Sequence, residues 1–142
     1  MTTLYIDTEF NSYRGALISM GLVAETGAFW YQALHCPTPD PWVAKHVMPV
    51  LATEPVGLNR FQKGLEEFLA TFDSVHIVAD WPEDIQHFCW ALITGPGTRI
   101  NTPPLTMEVR RDIDSATSAI PHNALADAVA VMDSAEAKDS AK

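Results

Sequence analysis

The chain has 142 residues, 47% of them apolar and 19% charged, with a formal net charge of −9. That length suits one ordinary domain with one core, the composition excludes a disordered chain, and no apolar run approaches the roughly 20 residues that cross a bilayer. The acidic balance argues against a polyanionic partner, with one exception: clustered carboxylates that hold divalent cations attract phosphate once the metals are in place.

The N-terminal "MTTLYIDTEF" has no basic region followed by an apolar stretch and cleavage site, so a secretory signal is not expected and the cytoplasm is the expected compartment. The run "TLYIDTEF" is rich in β-formers and alternates, which predicts a strand. "ALISMGLVAETGAFWYQALH" predicts two further strands around "ETG", with Gly27 at the strained position of a tight turn. Prolines then divide the chain from Cys36 to Gly57. Between them "PWVAKHVMPVL" predicts a short helix opened by Pro41 with Asp40 as its cap. Phe61, Leu65, Phe68, Leu69 and Phe72 fall at helical spacing in "NRFQKGLEEFLATF", an amphipathic helix that Asn59 can cap.

"SVHIVAD" is a continuous apolar run of the kind buried on both faces, a fourth strand. "PEDIQHFCWAL" predicts a helix beginning at proline and ending at the break "TGPGTRINTPP"; "LTMEV" comes next as a fifth strand. The alanine-rich "HNALADAVAVMDSAEAKDSAK" predicts a last helix, with a frayed polar end from about Ser134. Strands succeeded by alternating helices and strands predict an α/β fold, a mixed sheet with helices packed on it, in a single domain spanning 1–142. Cys36 and Cys89 belong to no metal-type spacing and are expected to be small buried apolar groups. His35 and His46 are expected to be structural or solvated.

Several carboxylates stand where packing alone would not put them. The strand period of two places Tyr5, Asp7 and Glu9 on one face, with the two acids about 7 Å apart. An acidic edge strand that discourages aggregation is the plain alternative. Asp84 shares a helix face with Phe88 and Ala91, although the helix dipole alone also favours an acid in a first turn. Asp80 and Glu83 have the spacing of a capping box, which gives Asp80 a structural task. In the last helix Asp127 lies with Ala124, Ala128 and Val131 on the stripe that should meet the sheet, where an uncompensated carboxylate would cost several kcal/mol. A buried Arg or Lys, or a divalent cation, must offset that cost. Nine basic residues are few, whereas Asp7, Glu9, Asp84 and Asp127 around two divalent cations would be roughly neutral, with His122 above the same place.

"IDTEF", "DWPED" and "HNALAD", in this order, resemble the three motifs of the DEDDh superfamily, the DnaQ-like and ribonuclease T-like 3′-5′ exonucleases of ribonuclease H-like fold. Asp7 and Glu9 meet the first motif, and His122 and Asp127 the third. In the second, Asp84 takes the metal-binding place, with Asp80 where the family usually has Asn and as the alternate ligand, and Glu83 where it has an aromatic residue. "LISMGLVAETGAFWYQAL", "PWVAKHVMPVL" and the compact length are similar to the small exoribonucleases of the RNase AS group. The resemblance covers about Thr3 to Val131.

It implies that Asp7, Glu9, Asp84 and Asp127 hold two Mg²⁺ or Mn²⁺ ions and that His122 is the general base, its place ahead of the helix being consistent with a mobile one. The implied partner is a single-stranded or 3′-overhanging nucleic acid, RNA in preference to DNA, with nucleoside 5′-monophosphates as products. Phe10 is a candidate for contact with the terminal nucleotide or for the core. A homodimer is also implied, for which Trp30, Trp42, Trp81 and Trp90 offer apolar surface. The alternatives are a DNA exonuclease, an inactive nucleic-acid-binding relative, and a structural domain whose acids are caps and surface charges.

Overall fold

The computed structural model describes residues 1–141. The first strand, β1 (Thr2–Phe10), pairs antiparallel with β2 (Leu17–Ala24), which pairs antiparallel with β3 (Phe29–Ala33). Gly27 has φ 92° in the turn between β2 and β3, a left-handed conformation that glycine takes without a Cβ clash. On its other side β1 pairs in parallel with β4 (Val75–Ala79), and β4 in parallel with β7 (Leu105–Val109). The sheet order is therefore β3-β2-β1-β4-β7, and the chain is α/β with a five-stranded mixed sheet, an arrangement consistent with a ribonuclease H-like fold. A two-stranded hairpin, β5 (Ile93–Gly95) with β6 (Thr98–Arg99), occupies the stretch read from sequence as a plain break.

Alternation divides β1 between two layers. Leu4 and Ile6 face one core with Met20, Leu22 and Ile77, covered by Phe61, Leu65 and Leu69 of α2 (Leu58–Leu69) and Phe88 of α3 (Pro82–Leu92). Tyr5 faces the other with Val23, Val78, and Ala128, Val131 and Ala135 of α4 (Ala124–Ser140). A third cluster joins Ile18 and Ala33 to Val43 and Val47, in and just after the short α1 (Pro41–His46). Among the described residues no helix is long and apolar enough to cross a membrane.

Local signals misled in several places. Asp40 stands at the start of α1 but its side chain makes no cap bond, and the helix gives way to a 3-10 turn at Met48–Val50, where Pro49 has no N–H to offer. Helix α2 begins at Leu58 with Gly57 as its cap, the Gly57 carbonyl accepting from Phe61 N at 3.0 Å, so Asn59 lies inside it. Helix α4 extends to Ser140, with Ala135 fully buried and Arg110 bridging Asp139 through two 3.1 Å bonds. Cys36 and Cys89 are free but half-buried rather than buried.

Helix α3 also starts differently. Its cap position is Trp81, held extended (φ −136°, ψ 137°) as the residue before a proline must be. Asp80 and Glu83 form no capping box; Glu83 instead accepts a 2.9 Å bond from the Trp81 indole. The capping task assigned to Asp80 from sequence is therefore absent.

Candidate metal centre

The site lies where the paired ends of β1 and β4 meet the first turns of two helices on opposite faces of the sheet. The parallel β1–β4 register ends at Tyr5 opposite Val78, so Asp7 and Asp80 emerge just beyond it. Asp84, in the first turn of α3, is turned toward β1 by Thr8, whose backbone N–H (3.1 Å) and hydroxyl (2.6 Å) both donate to its Oδ1. Asp127, in the first turn of α4, arrives from the other layer.

Gly21 decides that last approach. It pairs with Asp7 across β1 and β2, and a Cβ there would stand 2.7–2.8 Å from backbone atoms of Ala124 and Leu125. Its missing side chain lets the start of α4 lie directly on the sheet. Asn123 caps that helix by accepting from Ala126 N at 3.0 Å and donates to the Val50 carbonyl at 2.9 Å, which ties α4 to the segment after α1.

These placements produce two triads of carboxylates with Asp7 in common. One oxygen each of Asp7, Glu9 and Asp127 lie within 4.8 Å of one another, and so do one each of Asp7, Asp80 and Asp84. The four acids singled out from sequence thus meet through Asp7, and Asp80 joins them as a fifth. Asp7, Asp84 and Asp127 are buried, with 9%, 2% and 7% of their surface exposed.

Such crowding disfavours ionisation. Burial, then the charges of Asp84, Glu9 and Asp127, push Asp7 well above the usual carboxylate range. Burial and the neighbouring Asp127 raise Glu9 to about 9. Burial raises Asp84 to about 8 against the opposing hydrogen bonds from Thr8. Asp80 is raised by burial, with the charge of Arg111 working against the rise.

A divalent ion fits this donor set. Oδ2 of Asp7 and Oδ2 of Asp84 are buried without a hydrogen-bond partner, a state that costs about 1–3 kcal/mol or more for each charged acceptor and that a cation would relieve. All-oxygen ligation suits hard cations such as Mg²⁺ and Mn²⁺. Five carboxylates beside one guanidinium carry four net negative charges when ionised, which two divalent ions would balance.

His122 stands at the rim rather than within either triad. Its backbone is left-handed (φ 73°), unusual for a residue with a side chain, and its N–H donates to Oδ2 of Asp127 at 3.2 Å. Its ring packs edge-on against Trp42 at 5.0 Å, with His46 6.1 Å away. His46, read from sequence as structural or solvated, stacks on Trp42 at 4.6 Å. Phe10, half-buried, packs on His87 at 4.8 Å.

Sequence reasoning missed Thr8 and Gly21, and offered Asp80 only as an alternate to Asp84, whereas both lie in one triad with Asp7. Nothing local marks Thr8 or Gly21, because each acts on a segment far along the chain. No protein-family model matches the chain, and no curated protein matches it.

Proposed function

We propose that this protein is a metal-dependent 3′-5′ exonuclease of the DEDDh type, acting on single-stranded RNA and releasing nucleoside 5′-monophosphates. The observation that carries the reading is the pair of carboxylate triads sharing Asp7, with orphaned oxygens on Asp7 and Asp84. Purely structural acids would be separated or paired with cations, since buried like charges repel.

Asp7, Glu9 and Asp127 would hold one divalent ion, and Asp7, Asp80 and Asp84 the other. Bound there, the ions supply Lewis-acid polarisation of the scissile phosphate and neutralise charge developing in the transition state. The chain's own groups do the rest. Thr8 fixes the orientation of Asp84, and Asp127 tethers the backbone of His122 at the rim. The imidazole packs on Trp42 and carries no hydrogen bond among the described residues; the general-base role requires it to turn from Trp42 toward the cluster. There it accepts a proton from the attacking water as the water oxygen bonds to phosphorus and the bond to the 3′-oxygen breaks. The departing 3′-oxygen takes up a proton and remains with the shortened strand.

Incubating 3′-labelled and 5′-labelled RNA and DNA oligonucleotides with and without Mn²⁺ tests activity, polarity, sugar preference and metal need together. The expected result is stepwise shortening of RNA from its 3′ end only with metal. His122→Ala should retain metal binding by calorimetry and lose roughly 100-fold or more of the rate. Absence of hydrolysis on every substrate would remove the proposal, and faster cleavage of DNA would reassign the substrate.

The second triad predicts a graded result. Asp84, nearly sealed and doubly held by Thr8, should be the stronger ligand; Asp80 is half-exposed at the edge. Asp84→Asn should lower the rate by about 100-fold or more and Asp80→Asn by about 10-fold, taking loss of a metal carboxylate at several kcal/mol and of a peripheral one at about 1.4. The reverse order in measured kcat would make Asp80 the principal ligand.

A further inference from the structure

The parallel strands β4 and β7 end side by side, Ala79 opposite Val109, while β1 runs on to Phe10, and the residues just past the ends of β4 and β7 share one rim. Beyond β4 come Asp80 and Trp81; beyond β7 come Arg110 and Arg111. The two arginines are used differently. Arg110 is engaged by Asp112 and by Asp139 through all its guanidinium nitrogens. Arg111 is exposed and makes one hydrogen bond among the described residues, from Nη1 to the carbonyl oxygen of Asp80. Its remaining N–H groups are open to a ligand.

The same guanidinium lies over the ring of Trp81, 4.8 Å from its centroid. The Trp81 indole N–H is held by Glu83 at 2.9 Å. Trp81 is thus fixed from two directions while 47% of its surface stays exposed. A packing role would bury such a ring, and an idle surface indole would not be fixed. An aromatic face held in one orientation, with a partly uncommitted cation against it, matches what an unpaired nucleotide offers: a base with a π-face and a phosphate beside it.

We infer that Trp81 and Arg111 form a binding platform for the nucleotide next to the scissile phosphate in a single strand, the indole stacking on its base and the guanidinium taking its phosphodiester. The inference rests on the nuclease reading. Its place is set by Asp80, which both belongs to the second triad and accepts from Arg111. In a chain of net charge −9, a cation at the rim of the acid cluster also gives a polyanion a local point of attraction. The competing role, a counterion for the Asp80 carboxylate, makes no use of the stacked indole.

The test uses a 5′-fluorescein-labelled single-stranded RNA of about ten nucleotides, with binding followed by anisotropy in Ca²⁺ at several salt concentrations and cleavage followed in Mn²⁺. Arg111→Ala should weaken binding by about 5- to 20-fold and reduce the slope of log Kd against log salt by about 0.7, the value for one phosphate contact on a single strand. Trp81→Ala should weaken binding by about 5- to 100-fold, with most of it restored in Trp81→Phe. In cleavage both losses should appear in KM rather than kcat. Wild-type binding and KM in both alanine variants would overturn the platform while leaving the nuclease reading intact. So would an unchanged salt slope in Arg111→Ala, or a fall in kcat alone, which is the signature of the counterion role. A wild-type protein that neither binds nor cuts RNA or DNA would overturn both.

Discussion

Asp7→Asn is expected to abolish hydrolysis, at a loss of about 1000-fold or more, while leaving the metal-free protein at least as stable as the wild type. The two effects have one cause. Asp7 is the carboxylate common to both triads, so removing its charge weakens both candidate cation positions together. Metal-assisted charge neutralisation contributes several kcal/mol to such a transition state, which corresponds to a rate factor of this size. Without metal, however, Asp7 is buried among Asp84, Glu9, Asp127 and Asp80, all of which oppose its ionisation. An amide of the same shape carries no charge to be repelled. Thermal unfolding in EDTA should therefore give a Tm for Asp7→Asn equal to or above that of the wild type, and added Mn²⁺ should raise only the wild-type value. A variant that is markedly destabilised in EDTA, or that gains as much from Mn²⁺ as the wild type, would show that Asp7 is a structural acid.

In the absence of metal, the stability of the wild type should fall as pH rises from about 5 to 8, opposite to the usual behaviour of paired carboxylates. Glu9 is raised from 4.5 to about 9 and Asp84 from 3.8 to about 8. Between the unfolded and folded values the native state holds protons that the unfolded chain has released. Stability then declines with pH wherever the native state binds more protons. The penalty is absent below about pH 4, grows across the window, and is complete above about pH 9. Each such group contributes up to about 1.4 kcal/mol per pH unit, and relaxation of the crowded site brings the expected slope to the order of 1–2 kcal/mol per unit. Divalent ions require these acids ionised, so metal binding releases protons and saturating Mn²⁺ should reverse the trend. Urea unfolding at pH 5.5 and 7.5, in EDTA and in Mn²⁺, reads both slopes. Equal or rising stability with pH in EDTA would mean that these carboxylates are solvated or paired with cations.

The sequence carried the period of two that set Asp7 and Glu9 apart from Leu4 and Ile6, and the helical period that put Asp84 and Asp127 on buried faces; both reappear in the fold. Those patterns are legible because side-chain direction within one element is set by backbone geometry alone. The contact that anchors the polar end of α4 was not legible, since Arg110, which bridges Asp139, belongs to another element. For Asp80 two tasks stood open, since the D-x-x-E spacing fits a capping box and the resemblance makes it the alternate ligand; the extended Trp81 before Pro82 moved the cap by one residue and left Asp80 beside Asp7.

Composition, charge and periodicity by themselves determined an α/β chain with acids on faces that ought to be apolar. How those acids divide into two triads, and that Asp80 joins Asp84 rather than replacing it, was decided by the tertiary structure. The parallel register of β1 on β4 brings Asp80 beside Asp7, the hydroxyl of Thr8 reaches Asp84 across 76 positions of sequence, and the bare Cα of Gly21 admits α4 close enough for Asp127 to meet Glu9. Each of these depends on a distance between segments, and the free energy that sets such distances comes from packing and pairing between elements, which no local pattern encodes.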